Sequence, residues 1–255
     1  MTRQRQAELA PFRERYIAHR GLFDNRYDYP ENTLPAFERA IAAGYGIELD
    51  VRLTRDNQLI VAHDPDLLRP CWEYGIIREW DWDELRTCHL FGTSQTFPLF
   101  TDVLDLIAGQ VPLVVELKPD KDVELTAELT AKAMEKYDGA YCIECFDPRV
   151  LQWYKKHHPE VIRGQLAQDM ADERGKRNPL TNWLLERMVL NVATQPDFIA
   201  YRQADADRLS VRFWRAVLGC TLVAWTVQSE EQLAAAKGHF DAIIFDSFIP
   251  AEPWA

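Results

Sequence analysis

Residues 46–64 read GIELDVRLTRDNQLIVAHD, and the fold turns on this stretch. It opens as a β-type run in which Glu48 and Asp50 stand two apart and so point the same way. Thr54-Arg55-Asp56-Asn57-Gln58 is turn-rich and lies between two β-type runs, which predicts a hairpin. A turn centred between Asp56 and Asn57 makes His63 the partner of Asp50 and folds it back beside the acidic pair. Pro65 to Phe97 then breaks the strand–helix rhythm, so an insertion of about 65–97 precedes the next helix, near Thr101 to Ala108.

Outward from this stretch, apolar β-type runs alternate with helical patterns. The runs are 16–19, 46–53, 112–118, 141–146, 162–167, 198–202, 222–227 and 242–246. Several are short and nearly continuously apolar, as strands buried on both faces should be. Between them, Thr33 to Ala43 reads as a helix that starts in PENT, carries Pro35 in its first turn and meets Gly44 just past its end. Asp122 to Tyr137, Pro148 to His157 and Glu230 to Lys237 read as further helices. Eight strands alternating with helices predict an α/β chain folded as a (β/α)8 TIM barrel, one domain over 1–255, with a small insertion after strand 2. A doubly wound sheet is the structural rival, and the strand count and missing glycine-rich dinucleotide fingerprint count against it. Trp72, Trp80 and Trp82 in the insertion serve either as anchors that dock it or as a lid, substrate wall or partner surface.

The composition sets bounds. With 255 residues, 47% hydrophobic and 27% charged, the chain can bury a sizeable core. A net charge of −11 makes it a poor partner for nucleic acid and for anionic membrane surfaces. Any bound phosphate must be met by local cations or a metal. The five cysteines are odd in number and irregular in spacing, so no disulfide framework is expected. Cys142 and Cys145 form C-x-x-C on a strand, where positions three apart face opposite sides, which argues against a redox or metal pair. No signal peptide or run of ~20 apolar residues is evident, so a cytoplasmic protein without stable membrane insertion is expected.

Polar residues gather at strand ends. His19 and Arg20 end strand 1, Glu48 and Asp50 lie on strand 2, and Glu116 and Lys118 repeat the two-apart spacing on strand 3. Active sites of such barrels sit at the C-terminal ends of the strands. Three carboxylates at one mouth repel one another unless they gather a hard cation, and all-oxygen ligation suits Mg²⁺ or Ca²⁺. Arg20 offers a fork and Lys118 a point charge to phosphate, while His19 and His63 can exchange protons near neutrality. Each residue alone has a bland reading, such as a Glu116–Lys118 ion pair; together they point to phosphoryl chemistry. His157 and His158 read as a helix end, His89 and His239 as structural or exposed, Asp246 as a brace near the rim, and residues 173–177 as a solvated basic loop.

The succession IAHRG, PENT, IELDVRLTRDNQLIVAHD and VELK, with AWTV around Trp225 and IIFD around Asp246, resembles the glycerophosphodiester phosphodiesterase family. The family pattern H-R-G, P-E-N-T, E-x-D, H-D and E-x-K occurs in order between Ala18 and Lys118. The resemblance implies a (β/α)8 barrel with an insertion after strand 2, and metal-dependent hydrolysis of glycerophosphodiesters to glycerol 3-phosphate and an alcohol. It implies His19 and His63 as the acid/base pair, Arg20 and Lys118 as phosphate contacts, and Glu48, Asp50 and Glu116 as holders of Mg²⁺ or Ca²⁺. Glu31 of PENT would support the site, and Asn32 and Thr33 would cap the first helix.

Two departures from the family pattern bear on the substrate. The spacer LFDNRYDY between HRG and PENT is long, and Cys145 stands where similar sequences often carry serine. The alcohol group, the roles of the two histidines, and attack by water or by the glycerol 2-hydroxyl stay open. A small-molecule glycerophosphodiester is the expected partner, for a monomer or homodimer in lipid and glycerol metabolism. A lysophospholipase D activity, with Phe146 or Trp225 lining an apolar channel, is the alternative enzyme. An inactive barrel serving as a binding module is a third reading, weakened because no histidine or carboxylate is lost.

Overall fold

The computed structural model describes residues 3–168, 188–203 and 209–252. The basic stretch 173–177 lies outside them. The chain falls into two compact units, Ile17–Tyr141, and Met1–Tyr16 with Cys142–Ala255.

In the first unit, β1 (Ile17–His19) and β4 (Leu113–Leu117) flank β2 (Gly46–Leu53), both parallel to it. Every residue of β2 is buried. Its sequence alternates, so Ile47, Leu49, Val51 and Leu53 share one face and Glu48, Asp50 and Arg52 the other. The helix Leu34–Ala42 covers the sheet with buried Ala36, Phe37 and Ala40, and the helix Phe100–Ile107 packs beside it with Phe100, Val103, Leu104 and Ile107. A side chain the size of Phe37, wholly buried, contributes about 2–3 kcal/mol through area removed from water. Burying three charged residues on one strand costs far more than burying apolar ones, so that face needs a chemical reason.

The hairpin predicted after β2 is present, but its register differs by one residue. β3 (Leu59–Val61) runs antiparallel to β2, with Val51 opposite Val61 and Leu53 opposite Leu59. Asp50 therefore faces Ala62, whose N–H donates to the Asp50 carbonyl at 3.0 Å, and not His63. The cause is a three-residue loop. The Asn57 N–H donates to Thr54 O at 3.0 Å, and Asn57 adopts φ 62°. This is a type I turn followed by a left-handed residue, which centres the hairpin on Asp56.

The insertion after β3 builds a core of its own. Leu67, Cys71, Ile77, Leu85, Cys88, Leu90 and Phe97 pack with Ile60 and Ala62, and Trp80 and Trp82 lie against them. Those two tryptophans are anchors. Trp72, by contrast, is 69% exposed and Tyr74 89%.

Five further strands follow, all in the second unit but for Tyr141: β5 (Tyr141–Cys145), β6 (Ile162–Ala167), β7 (Phe198–Arg202), β8 (Thr221–Val227) and β9 (Ala242–Phe245), each parallel to the next. The helices Pro148–His157, Leu209–Leu218 and Glu230–Ala236 lie between them. His157 ends its helix and His158 follows it, both stacked on Trp153. The five cysteines are free and buried. Among the described residues, eight parallel strands alternate with helices, and one antiparallel strand precedes the insertion. The fold class is the (β/α)8 barrel expected.

Candidate active site

All eight polar residues singled out from the first part of the sequence lie within the unit Ile17–Tyr141. Asp50 is wholly buried at the centre of their contacts. Lys118 Nζ lies 3.2 Å from its Oδ1, Arg20 Nε lies 3.4 Å from its Oδ2, and Asn32 Nδ2 donates to Oδ2 at 2.9 Å. Burial opposes the charge on Asp50, but Lys118, His63, Arg20 and Asn32 more than offset it and hold the carboxyl well below its usual range.

Glu116 is the counterpoint. Its Oε1 lies 2.5 Å from Lys118 Nζ, yet burial, with the charge of Asp50 adding to it, pushes its pKa up to about 7. One ammonium cannot neutralise two buried carboxylates. Burial likewise works against the charge on Lys118, and Glu116 and Asp50 overcome it and raise its pKa.

Arg20 bridges three acids. Its backbone N–H donates to Glu48 Oε2 at 3.0 Å, its Nη1 donates to Glu31 Oε1 at 2.7 Å, and its Nε approaches Asp50. The sequence motifs explain how it gets there. Arg20 and Asn32 both sit in the left-handed region, φ 55° and 58°, and the Asn32 N–H donates to Arg20 O at 3.0 Å. Gly21 of the H-R-G run has φ 82°, and a Cβ there would meet Ala36 at 2.9 Å, so the helix packs onto a position only glycine fits.

Asn32 was expected to cap the first helix, and it does not. It is bound to Asp50, donating to a carboxylate oxygen and accepting from the Asp50 N–H at 3.4 Å. Thr33 holds the N-cap position, but its hydroxyl donates to Pro30 O instead of accepting from the helix. The capping reading followed residue type; the buried charge next door outcompetes the helix end for the amide.

Each histidine lies near a carboxylate. His19 Nε2 is 3.9 Å from Glu48 Oε2. His63 Nδ1 is 2.6 Å from Asp64 Oδ1, and its carbonyl accepts from Arg52 Nε at 2.9 Å. Burial lowers the pKa of His63, while Asp64 and Asp50 work against that fall.

Glu31 lies at the junction of the P-E-N-T loop and the insertion. Arg20 and Arg69 both bind it, and Asn25 Nδ2 donates to it at 3.0 Å. Burial opposes its charge, but Arg69, Arg20 and Asn25 bring its pKa down to about 2. Sequence reading missed Asn25, Asp64 and Arg69, whose roles follow from how loops meet in space. Phe146 and Trp225 lie in the other unit, where their rings meet edge to face with centroids 5.6 Å apart.

A divalent cation suits this donor set. Glu48 and Glu116 are buried and offer carboxylate oxygens within 4.8 Å of each other, and the carboxyl of Glu116 is held protonatable near neutrality for want of positive charge. Hard oxygen donors at such spacing suit a hard divalent cation.

Residues 19–249 match the model of the glycerophosphoryl diester phosphodiesterase family. The chain belongs to that family. It is accordingly an enzyme of the phosphoric diester hydrolase class. The match begins at His19 and includes every site residue named above. Among relatives, it is similar to a glycerophosphodiester phosphodiesterase of Bacillus altitudinis, 33% identical over 169 residues, 62% of this chain and 68% of that one. It is also similar to a lysophospholipase D of Rattus norvegicus, 29% identical over 180 residues, 66% of this chain and 50% of that one. Its fold is similar to that of an Oleispira antarctica phosphodiesterase in complex with the product sn-glycerol-3-phosphate, with a TM-score of 0.75, 22% identity, and coverage of 91% and 93% of the two chains.

Proposed function

We propose that this protein hydrolyses glycerophosphodiesters to glycerol 3-phosphate and an alcohol, by histidine acid/base catalysis that depends on a divalent cation. The observation that carries this reading is the burial of Glu48, Asp50 and Glu116 beside Arg20 and Lys118, with both histidines in the same unit. A fold has no reason to gather so many charges away from water unless they act on something.

Glu48, Asp50 and Glu116 would hold the metal, which when bound would supply Lewis-acid stabilisation of phosphodiester charge. Arg20 and Lys118 bind and orient the phosphate, Arg20 as a guanidinium donor and Lys118 as a point charge. His19 and His63 form the acid/base pair, one taking a proton from the nucleophile and the other giving one to the leaving alcohol oxygen. Asp64 accepts a hydrogen bond from His63 Nδ1–H, which leaves Nε2 as the ring atom of His63 that exchanges protons. Asn32 keeps Asp50 aligned.

A lysophospholipid substrate is the second reading. It is favoured by the exposed Leu68, Trp72, Tyr74 and Ile76, which surround Arg69 in sequence and offer apolar area at the edge of the insertion. Glycerol 3-phosphate release from glycerophosphocholine and glycerophosphoethanolamine, compared with lysophosphatidic acid release from lysophosphatidylcholine, separates the two. The primary reading expects the water-soluble diesters to be turned over with the higher kcat/KM. Turnover of the lysophospholipid alone would replace it, and turnover of none would favour a binding module.

A further inference from the structure

Arg69 is held in the insertion by the short helix Leu68–Cys71, yet its guanidinium spans two loops of the candidate site. Nη1 and Nη2 donate to Glu31 Oε2 and Oε1 at 2.9 and 2.7 Å. Nε and Nη2 donate to Asp64 Oδ2 and Oδ1 at 2.5 and 3.1 Å. Asp64 Oδ1 in turn meets His63 Nδ1 at 2.6 Å. A carboxylate can only accept at that contact, so the ring proton sits on Nδ1.

We propose that Arg69 is a positioning residue of the phosphodiesterase reaction, fixing Asp64 and through it the tautomer and orientation of the His63 ring. The proposal rests on the acid/base reading of His63. Both acids are gripped bidentately, which a guanidinium fork can do and an ammonium cannot. The backbone of His63 is secured separately, because Arg52 Nε donates to its carbonyl and Arg52 is itself held by both oxygens of Asp120. Of His63, what Arg69 governs is therefore the ring and not the backbone. A ring free to flip or to change tautomer spends only part of its time with Nε2 presented for proton exchange.

The rival is purely structural: Arg69 pins the insertion to the P-E-N-T loop and leaves His63 indifferent. ¹⁵N-histidine NMR at one fixed pH, with His63→Ala to assign the signal, distinguishes them. The wild-type ring should show one tautomer, protonated at Nδ1, and Arg69→Met and Asp64→Asn should both show averaging between tautomers. Each variant should lose about 10–100-fold in kcat with KM within threefold, Arg69→Lys should rescue little, and Arg69→Met combined with Asp64→Asn should be no slower than Asp64→Asn alone. An unchanged His63 tautomer in Arg69→Met, a loss confined to KM, or additive losses would overturn the proposal. If Arg69→Met does not fold, Arg69→Lys and Asp64→Asn carry the same NMR and kinetic comparison. Near-normal turnover by His63→Ala would sink the acid/base reading instead, and the tautomer measurement would still report whether Arg69 controls the ring.

Discussion

Lys118 Nζ lies 2.5 Å from Glu116 Oε1, in a place where neither group reaches much water. The same ammonium is 3.2 Å from Asp50. Lys118→Met should leave two buried carboxylates facing each other, and breaking a buried pair of this kind costs about 3–5 kcal/mol. Thermal melts with and without Mg²⁺ or Ca²⁺ check this. The variant should melt well below wild type and regain more than wild type does when cation is added. An unchanged Tm would show that Lys118 does not neutralise these acids.

Asn32 should matter to Asp50 in two separable ways. Asn32→Ala loses a hydrogen bond to a buried charge, about 1.5–3 kcal/mol, and puts a Cβ-bearing residue without a polar tip at φ 58°. Asn32→Gly relieves the backbone term, about 1–2 kcal/mol, and not the other. Urea unfolding of the two variants should therefore rank wild type above Asn32→Gly and Asn32→Gly above Asn32→Ala. Equal stability of all three would show that neither contact counts.

Much of this was legible in the sequence, and the misses share a cause. The strands Gly46–Leu53, Ile162–Ala167 and Phe198–Arg202 fall where the apolar runs placed them, because burial on both faces writes itself into composition. Glu48 and Asp50 share a face because strand periodicity requires it. The hairpin register failed because one residue more or less in a turn moves every partner, and Asn57 looks the same in either turn. Arg69 and Asp64 were invisible as a pair because the contact between them, like that from Arg69 to Glu31, is made by loops whose approach no local pattern records. Asn32 was misassigned because an asparagine before a helix usually caps it, and only the structure shows Asp50 beside it.

Acid should act on Glu31. Its pKa falls from 4.5 in the unfolded chain to about 2 in the folded one, so the stability it adds is complete above pH 4.5. That stability is lost progressively as pH falls from 4.5 through about 2, below which the carboxyl is protonated in both states. The full difference is on the order of 3 kcal/mol. Denaturation of wild type and Glu31→Gln at a series of pH values should show a gap at pH 6 that closes between pH 4.5 and 2. A gap independent of pH would mean the loss in Glu31→Gln does not come from the charge.

The two histidines should each be needed. His19→Ala and His63→Ala should lower turnover by ~10²–10⁴-fold while leaving the melting temperature within a few degrees, since neither ring belongs to the apolar core. Steady-state kinetics on a purified variant decides it. Near-normal rates in both would remove them from the chemistry.

Chelation tests the central claim most directly, because it addresses the acids and the reaction in one measurement. Glycerol 3-phosphate release from glycerophosphocholine is followed in the purified protein, then after EDTA and dialysis, then after returning Mg²⁺ or Ca²⁺. Activity should vanish on chelation and return with one of these cations, and Glu48→Gln or Glu116→Gln should need far more cation for the same return. Full activity in the chelator would contradict the account.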